Sequence, residues 1–165
     1  MRRVLLGLMV AMLAIGCAER DGSAGEVTIA AEDTRLVQDR FRVYRSELGH
    51  IGTLNAVLET LDRRDLSVFT VIDHAAAAAE VGMSLPPTTL VIFGNPRAGT
   101  PLINDEPLMG AELPLRALVY ERGGQVFLAV TGVNYLEREY ALQRPDVIDN
   151  IEKTLDAIAR EATSP

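Results

Sequence analysis

The stretch "TTLVIFGNPRAGTPL", residues 88–102, begins as an uncharged run of β-branched, aliphatic and aromatic side chains and ends in a segment rich in proline and glycine. The first half predicts an interior β-strand, because such side chains fit a buried, pleated surface. In the second half, Asn95-Pro96 and Thr100-Pro101 each place a capping side chain before a proline, which predicts two short helical turns. A buried strand that ends in a polar turn is a frequent place for a ligand.

Two strands and a helix are predicted before this stretch. Residues 41–45 ("FRVYR") alternate apolar with basic side chains, and residues 66–73 ("LSVFTVID") are rich in β-branched and aromatic ones. The helix between them is indicated by apolar side chains at helical spacing, namely Leu54, Val57, Leu58 and Leu61. Asp73 is a suitable N-cap for a short alanine helix that Gly82 ends.

A hairpin and two helices are predicted after it. Residues 115–132 ("LRALVYERGGQVFLAVTG") form the hairpin, with Gly123-Gly124 at the turn, because glycine adopts positive φ at little steric cost. Residues 133–142 predict a short helix, and residues 144–162 a longer one that has Pro145 in its first turn. This order of elements predicts an α+β fold: a single domain with an about five-stranded, mostly antiparallel sheet and helices packed on it.

The first residues of the chain form a separate segment. Arg2 and Arg3 precede an apolar run from Val4 to Ile15, which is shorter than the roughly 20 residues that a membrane-spanning helix needs. A charged start, a short apolar run and small residues after it predict a signal peptide at residues 1–16.

Cys17, the only cysteine of the chain, follows directly. The sequence Leu13-Ala14-Ile15-Gly16-Cys17 resembles a bacterial lipobox, although Ala14 holds the place that is usually leucine. The resemblance implies cleavage before Cys17 and its acylation by fatty acids such as palmitate; the alternative is a plain signal peptide with an incidental cysteine. Residues 17–39 are then the lipidated cysteine and a flexible tether, and residues 40–165 the folded domain. Because Ala18 rather than aspartate follows, we expect an outer-membrane lipoprotein facing the periplasm in a host with two membranes.

The charge of the chain excludes several kinds of partner. The leader holds two of the 16 basic residues and none of the 23 acidic ones, so the mature chain would carry a net charge of −9. Such a surface repels phosphate backbones, and we therefore expect no nucleic-acid partner. It also disfavours docking on an anionic bilayer by charge, which leaves membrane attachment to the lipid.

Two polar clusters at strand ends are the candidate ligand-binding residues. Asp73 and His74 form the first, because an aspartate beside a histidine can hold one imidazole tautomer and raise its basicity. The alternative is that Asp73 only caps the helix that His74 begins. In the second cluster, backbone N–H groups of the turn and an arginine charge could hold a small anion, the alternative being a rigid connector with two helix starts. The members of this second cluster are Asn95, Arg97, Gly99 and Thr100.

No catalytic motif is present in the sequence. It lacks the GxSxG nucleophile motif, and its glycines match neither the GxGxxG nor the GxxxxGK(S/T) nucleotide-binding motif. Its two histidines form no HxxxH metal-ligand pair, and His74 belongs to no ExxH pair. His50, the second histidine, is expected to be a solvated loop residue, and the Asp105-Glu106 pair is expected to face solvent. The absence of a catalytic motif favours a role other than that of an enzyme, and we expect neither a metal nor a cofactor.

Much of the chain, roughly residues 41–142, resembles the bacterial domain of unknown function 302 (DUF302) family. The resemblance is carried by "VIDHA" (71–75), by "TTLVIFGNPRAGTPL" (88–102) and by "LPLRALVY" (113–120). It implies a compact α+β fold that is often homodimeric and a function not established at the family level. The family commonly has Y-L-x-x-R-H after its last strand, where this chain has "YLEREY" with Tyr140 in place of the histidine.

These observations lead to one function hypothesis and two alternatives. The hypothesis is a lipid-anchored protein of the cell envelope that binds a small ligand or a protein partner through the two polar strand ends, so that replacing His74 and Arg97 by alanine weakens binding. The first alternative is a metal-dependent or redox accessory protein, or an enzyme, that uses His74. The second is a structural dimer of the envelope.

Overall fold

Strand β3 (Thr88–Gly94) is paired on both sides, as its apolar sequence predicts. In this computed structural model, which describes residues 40–140 and 142–165, β3 alternates fully buried with half-buried side chains. The predicted signal peptide, Cys17 and the tether lie outside the described residues.

The described strands form one sheet of five, in the order β1-β5-β4-β3-β2. Every neighbouring pair is antiparallel, so the sheet confirms the predicted α+β class. The turn between β4 and β5 places Gly123 and Gly124 at positive φ, as the hairpin prediction requires. The remaining strands are β1 (Phe41–Arg45), β2 (Ser67–Asp73), β4 (Leu115–Arg122) and β5 (Gln125–Thr131).

Six helices accompany the sheet within the described residues. Helices α1 and α6 pack against each other and cover one face of the sheet, where they bury the predicted apolar stripes. Within residues 40–140 and 142–165, every helix is too short or too polar to cross a lipid bilayer. The helices are α1 (His50–Arg63), α2 (His74–Glu80), α3 (Pro96–Asp105), α4 (Met109–Glu112), α5 (Asn134–Tyr140) and α6 (Pro145–Thr163).

Two local predictions were wrong. His50 is not a loop residue but the first residue of α1, where it is half-buried. Thr100-Pro101 does not begin a second helix, because both residues lie inside α3, which has already begun at Pro96 after the Asn95 cap. A capping residue before a proline predicts a helix start only where no earlier cap has begun the helix.

Candidate functional site

The two predicted polar clusters lie at opposite ends of the β2–β3 pair. Ser67 at the start of β2 is paired with Gly94, whereas Asp73 at its end is paired with Thr89. Because strand residues rise about 3.3 Å each, the two ends are separated by roughly 20 Å. The structure therefore does not bring Asp73 and His74 together with the turn that follows Gly94.

The first cluster has the geometry of a helix cap. An Asp73 carboxylate oxygen accepts a hydrogen bond of 2.9 Å from the backbone N–H of Ala76. His74 is the exposed first residue of α2. The capping prediction for Asp73 is confirmed, and its carboxylate is engaged by the backbone.

The second cluster is also a cap. The side-chain oxygen of Asn95 accepts a hydrogen bond from the N–H of Arg97 at 2.9 Å, and its carbonyl oxygen accepts from the N–H groups of Ala98 and Gly99, each at 3.0 Å. The backbone donors that were expected to be free for an anion are thus bonded within the turn. The side chain of Arg97 is exposed.

A cavity of about 640 Å³ opens beside this turn. Its walls come from the end of α1, the first turns of α3, the middle of α6 and the adjoining ends of the strands. Three of the predicted site residues line it, namely Asn95, Gly99 and Thr100. Arg97, Asp73 and His74 are not among the lining residues.

The cavity is mainly apolar, with polar side chains added at a few points. Its fully buried walls include Phe93 and Leu155, while Phe69 is 52% exposed and Ile103 is 37% exposed. Polar groups of the lining are Asn95, Thr100, Asn150 and Thr154, and its two charged residues are Arg63 and Arg64.

Sequence reasoning missed Arg63 and Arg64 as site residues. They lie about 30 positions before the Asn95 turn, at the C-terminal end of α1. The one available signal was the adjacent basic pair directly after the apolar stripe of α1. Their approach to Asn95 depends on how α1 lies on the sheet, which no local pattern encodes.

Both arginines are bound to one carboxylate of α6. Arg63 donates to Glu161 at 3.2 Å, and Arg64 forms an ion pair with the other oxygen of the same carboxylate. Burial acts to raise the pKa of Glu161, but the hydrogen bonds and positive charges of the two arginines outweigh it, so the pKa is lowered. Glu161 therefore stays ionised and fastens the end of α1 to α6.

A further polar cluster, which the sequence did not indicate, surrounds Glu112 near the N-terminal end of β4. Its carboxylate accepts hydrogen bonds from the hydroxyls of Tyr135 at 2.6 Å and Tyr140 at 2.9 Å. Arg116 lies 3.8 Å from the same carboxylate, and the guanidinium of Arg40 lies 4.9 Å from the centre of the Tyr135 ring. Tyr140, which stands where the family commonly has histidine, is thus one of the two donors that hold Glu112.

The protonation of this cluster follows from its contacts. Burial acts to raise the pKa of Glu112, but the two tyrosine hydrogen bonds and the charges of Arg40 and Arg116 lower it overall. Burial, followed by the hydrogen bond to Glu112, raises the pKa of Tyr135 to about 12. Tyr135 is therefore a hydrogen-bond donor and Glu112 an acceptor throughout the physiological pH range.

Neither residues 40–140 nor residues 142–165 contain a group of three or more histidine, cysteine, aspartate or glutamate side chains placed to hold a metal ion.

The lowered pKa of Glu112 leads to a pH-dependence prediction. The stabilisation is present above 4.5, the ordinary pKa of a glutamate, and is lost as the pH falls through that value toward the lower folded-state pKa. Glu112→Gln should lower Tm by roughly 5 °C near pH 7 and by much less near pH 3.5. Calorimetry with the exposed Glu137→Gln as control checks this; an equal loss of Tm at both pH values would contradict it.

Two comparisons with curated proteins relate part of the chain to larger proteins. Over 105 residues, 59% of its length, the chain is 41% identical to "Fluoride-specific ion channel FluC 1" of Brucella suis biovar 1. It is also 41% identical over 105 residues to "Fluoride-specific ion channel FluC 2" of Brucella melitensis biotype 1. The matched segment is 41% of the first protein and 39% of the second, so the chain spans about two fifths of the length of these relatives.

Two further comparisons concern the domain itself. The fold is similar to the crystal structure of an uncharacterized conserved DUF302 protein from Bacillus stearothermophilus, with a TM-score of 0.67 and 19% identity over 74% of this chain and 97% of that one. Residues 43–160 match the family described as "Domain of unknown function DUF302". This match covers well over half of the chain, which is therefore a member of the DUF302 family.

Proposed function

We propose that this protein is a lipid-anchored component of the bacterial cell envelope whose DUF302 domain binds a small, mainly apolar ligand. The observation that carries the binding proposal is the cavity of about 640 Å³ beside the Asn95 turn. Its size is within the range of about 300–1,000 Å³ that is usual for small-molecule sites, and apolar walls with a few polar groups are typical of them.

The walls of the cavity are parts of the folded core. Phe93, Leu115 and Leu155 belong to the buried cluster that holds the sheet to the helices, and all three line the cavity. Such walls are in place before a ligand arrives, so little ordering is needed on binding, which favours affinity. Asn95 and Thr100 add hydrogen-bonding groups that can orient the bound molecule.

Geometry favours binding over chemistry that depends on His74. The open cavity lies at the Asn95 end of the β2–β3 pair, whereas His74 is exposed at the other end. The Asp73 carboxylate, which could have oriented the imidazole, is bonded to the helix backbone instead. Of the six candidate residues from the sequence, the proposed site therefore includes three, namely Asn95, Gly99 and Thr100.

Two observations support the membrane location. The lipobox-like sequence that ends at Cys17 would attach the chain to a bilayer, with residues 18–39 as the tether. The curated relatives that share this domain are named as ion channels, which are membrane proteins. In a host with two membranes, we place the domain in the periplasm, attached to the outer membrane.

The homodimer expected from the family resemblance is proposed to form through the sheet face opposite α1 and α6. Leu90, Leu118 and Ala129 occupy this face on neighbouring strands, and the rings of Tyr120 and Phe127 stack there with centroids 5.4 Å apart. An antiparallel sheet that faces only water usually carries polar side chains on its open face. An apolar face can instead pack on its own copy through a two-fold axis, since sheets stack with interdigitating side chains.

The cavity proposal predicts a bound molecule that a larger side chain displaces. Ala98 is half-buried and lines the cavity, so Ala98→Leu fills part of the space and should reduce ligand occupancy by about tenfold or more. The matched control is Ala79→Leu on the exposed side of α2. Native mass spectrometry of the protein purified from its own host measures the bound mass; occupancy unaffected by Ala98→Leu would refute the cavity as the site.

The anchor proposal predicts that Cys17→Ala abolishes labelling by radioactive palmitate. The variant should also leave the membrane fraction, because it lacks the acyl chains that are proposed to hold the protein in the bilayer. Ser23→Ala in the tether is the control and should keep both label and location. Undiminished labelling of Cys17→Ala would show that the lipid is elsewhere.

The dimer proposal predicts that Leu118→Arg converts a dimer into a monomer. A charge at the centre of an apolar interface is buried in both copies and must lose its hydration without a partner. Val81→Arg, at a side chain that is 72% exposed beyond α2, is the control for an added charge. Light scattering after size-exclusion chromatography gives the mass; a Leu118→Arg protein that remains dimeric would place the interface on another surface.

A further inference from the structure

The charge of the cavity differs from the charge of the whole chain. The protein has 23 acidic and 16 basic residues, a net charge of −7. Among the described residues that line the cavity, however, two are arginines and none is acidic. An acidic protein that presents only positive charge to an apolar cavity has the electrostatics of a site for an anion.

The arginines have more donors than their carboxylate can use. Each guanidinium carries five N–H donors. Arg63 spends some of them on Thr60 at 2.9 Å, on Glu161 and on an ion pair of 4.0 Å with the exposed Glu59. Arg64 meets the other Glu161 oxygen, while its Nε–H is buried with no acceptor in the described part of the chain. Both arginines line the cavity, and the N–H donors that these contacts do not use are those that a second carboxylate or an equivalent acceptor would need.

We infer that the ligand is an amphipathic monocarboxylate. Its carboxylate binds Arg63 and Arg64, and its apolar body lies along Phe69, Phe93 and Leu155. A planar carboxylate matches the fork of a guanidinium and makes charge-assisted, bidentate hydrogen bonds. This inference rests on the proposed function, because it names the chemical class of the ligand in the same cavity.

The local charge balance favours one negative charge on the ligand. Arg63 and Arg64 contribute two positive charges, and Glu161 returns one negative charge close by. The Glu59 carboxylate is 4.0 Å from Arg63 and 74% exposed, so solvent screens its charge and it offsets little of the remainder. A single carboxylate neutralises the remainder, whereas a dianion such as a phosphate monoester leaves an excess. The mainly apolar lining favours a ligand whose remainder is largely hydrocarbon, as in an alkanoic acid or an aromatic acid.

Glu161 has a specific part in this arrangement. In the structure it is the carboxylate that both arginines contact, and it lies outside the cavity lining with 43% of its side chain exposed. A ligand carboxylate would use donors that Glu161 leaves free, but the negative charge of Glu161 repels it and offsets part of the arginine charge. Removal of the Glu161 charge should strengthen ligand binding, whereas removal of the arginine charges should weaken it.

The experiment uses probes of equal chain length and different charge. Decanoate, decanol and decyltrimethylammonium are titrated by calorimetry into the full chain carrying Cys17→Ala, which avoids lipid and detergent. Biphenyl-4-carboxylate is added to separate an aromatic from an alkyl acid. We expect at least one carboxylate to bind about tenfold more tightly than decanol, because hydrogen bonds to charged groups are stronger than those to neutral ones. Decyltrimethylammonium should bind most weakly of the four probes.

Variants then assign the selectivity to the arginines. Arg63→Gln/Arg64→Gln should weaken carboxylate binding by about tenfold and leave decanol within about twofold, because hydrogen bonds to charged groups are lost and apolar contacts are kept. Glu161→Gln should strengthen carboxylate binding severalfold. Arg122→Gln, which removes a charge at the far end of β4, is the matched control. Retained decanol binding also shows that each variant is folded.

Each outcome decides one of the two proposals. Equal affinity for decanoate and decanol would overturn the anion inference and leave an apolar cavity site intact. A Glu161→Gln variant as weak as the double arginine variant would show that the three residues only brace α1 on α6, and would overturn it too. Failure of every probe to bind, with no effect of Ala98→Leu, would overturn the cavity as a binding site altogether.

Discussion

Burial of one sheet face beneath α1 and α6 is the constraint on which the rest of the structure depends. Val91 and Phe93 from β3 and Leu128 from β5 have no exposed surface, and Leu61 and Leu155 meet them from the helices. Each side chain of this size contributes about 1.5–3 kcal/mol when it leaves water. Because side chains alternate along a strand, a shift of one residue would expose this whole set, so the core also selects the register.

The same packing creates the cavity and limits how it can change. Phe93, Leu115 and Leu155 serve the core on one side and the cavity on the other. Native cores are close-packed, so these side chains cannot move without disturbing the sheet and α6. The more exposed Phe69 and Ile103 have fewer neighbours and are the places where the cavity can adapt to the shape of a ligand.

Polar side chains of the domain divide into two groups by what they contact. One carboxylate oxygen of Asp73 and the side-chain oxygen of Asn95 accept from backbone N–H groups, and Glu112 accepts from two tyrosines, so these oxygens are engaged within the fold. Arg63 and Arg64 share one carboxylate and line an apolar cavity. A ligand site needs side chains whose hydrogen-bonding groups are not already used within the fold. Similarity of fold at 19% identity does not by itself identify those side chains.

The sequence alone determined the elements, the fold class and two of the caps. Periodicity located the strands and helices because the pattern of side chains along a segment is a local property, and Asp73 was recognised because a cap acts on residues two or three positions away. Thr100-Pro101 was misassigned because the Asn95 cap had already begun a helix, and His50 because α1 begins at that residue after Gly49, which offers no side-chain cap to mark the start.

Only the tertiary structure decided which of these residues share a site. It separated Asp73 and His74 from the Asn95 turn, because β2 runs between them along its full length. It also brought Arg63 and Arg64 to that turn, and Tyr135 and Tyr140 to Glu112, across 23 to about 30 positions of sequence. Such approaches depend on the crossing of helices and strands around a common core, where long-range packing rather than local sequence sets the distances.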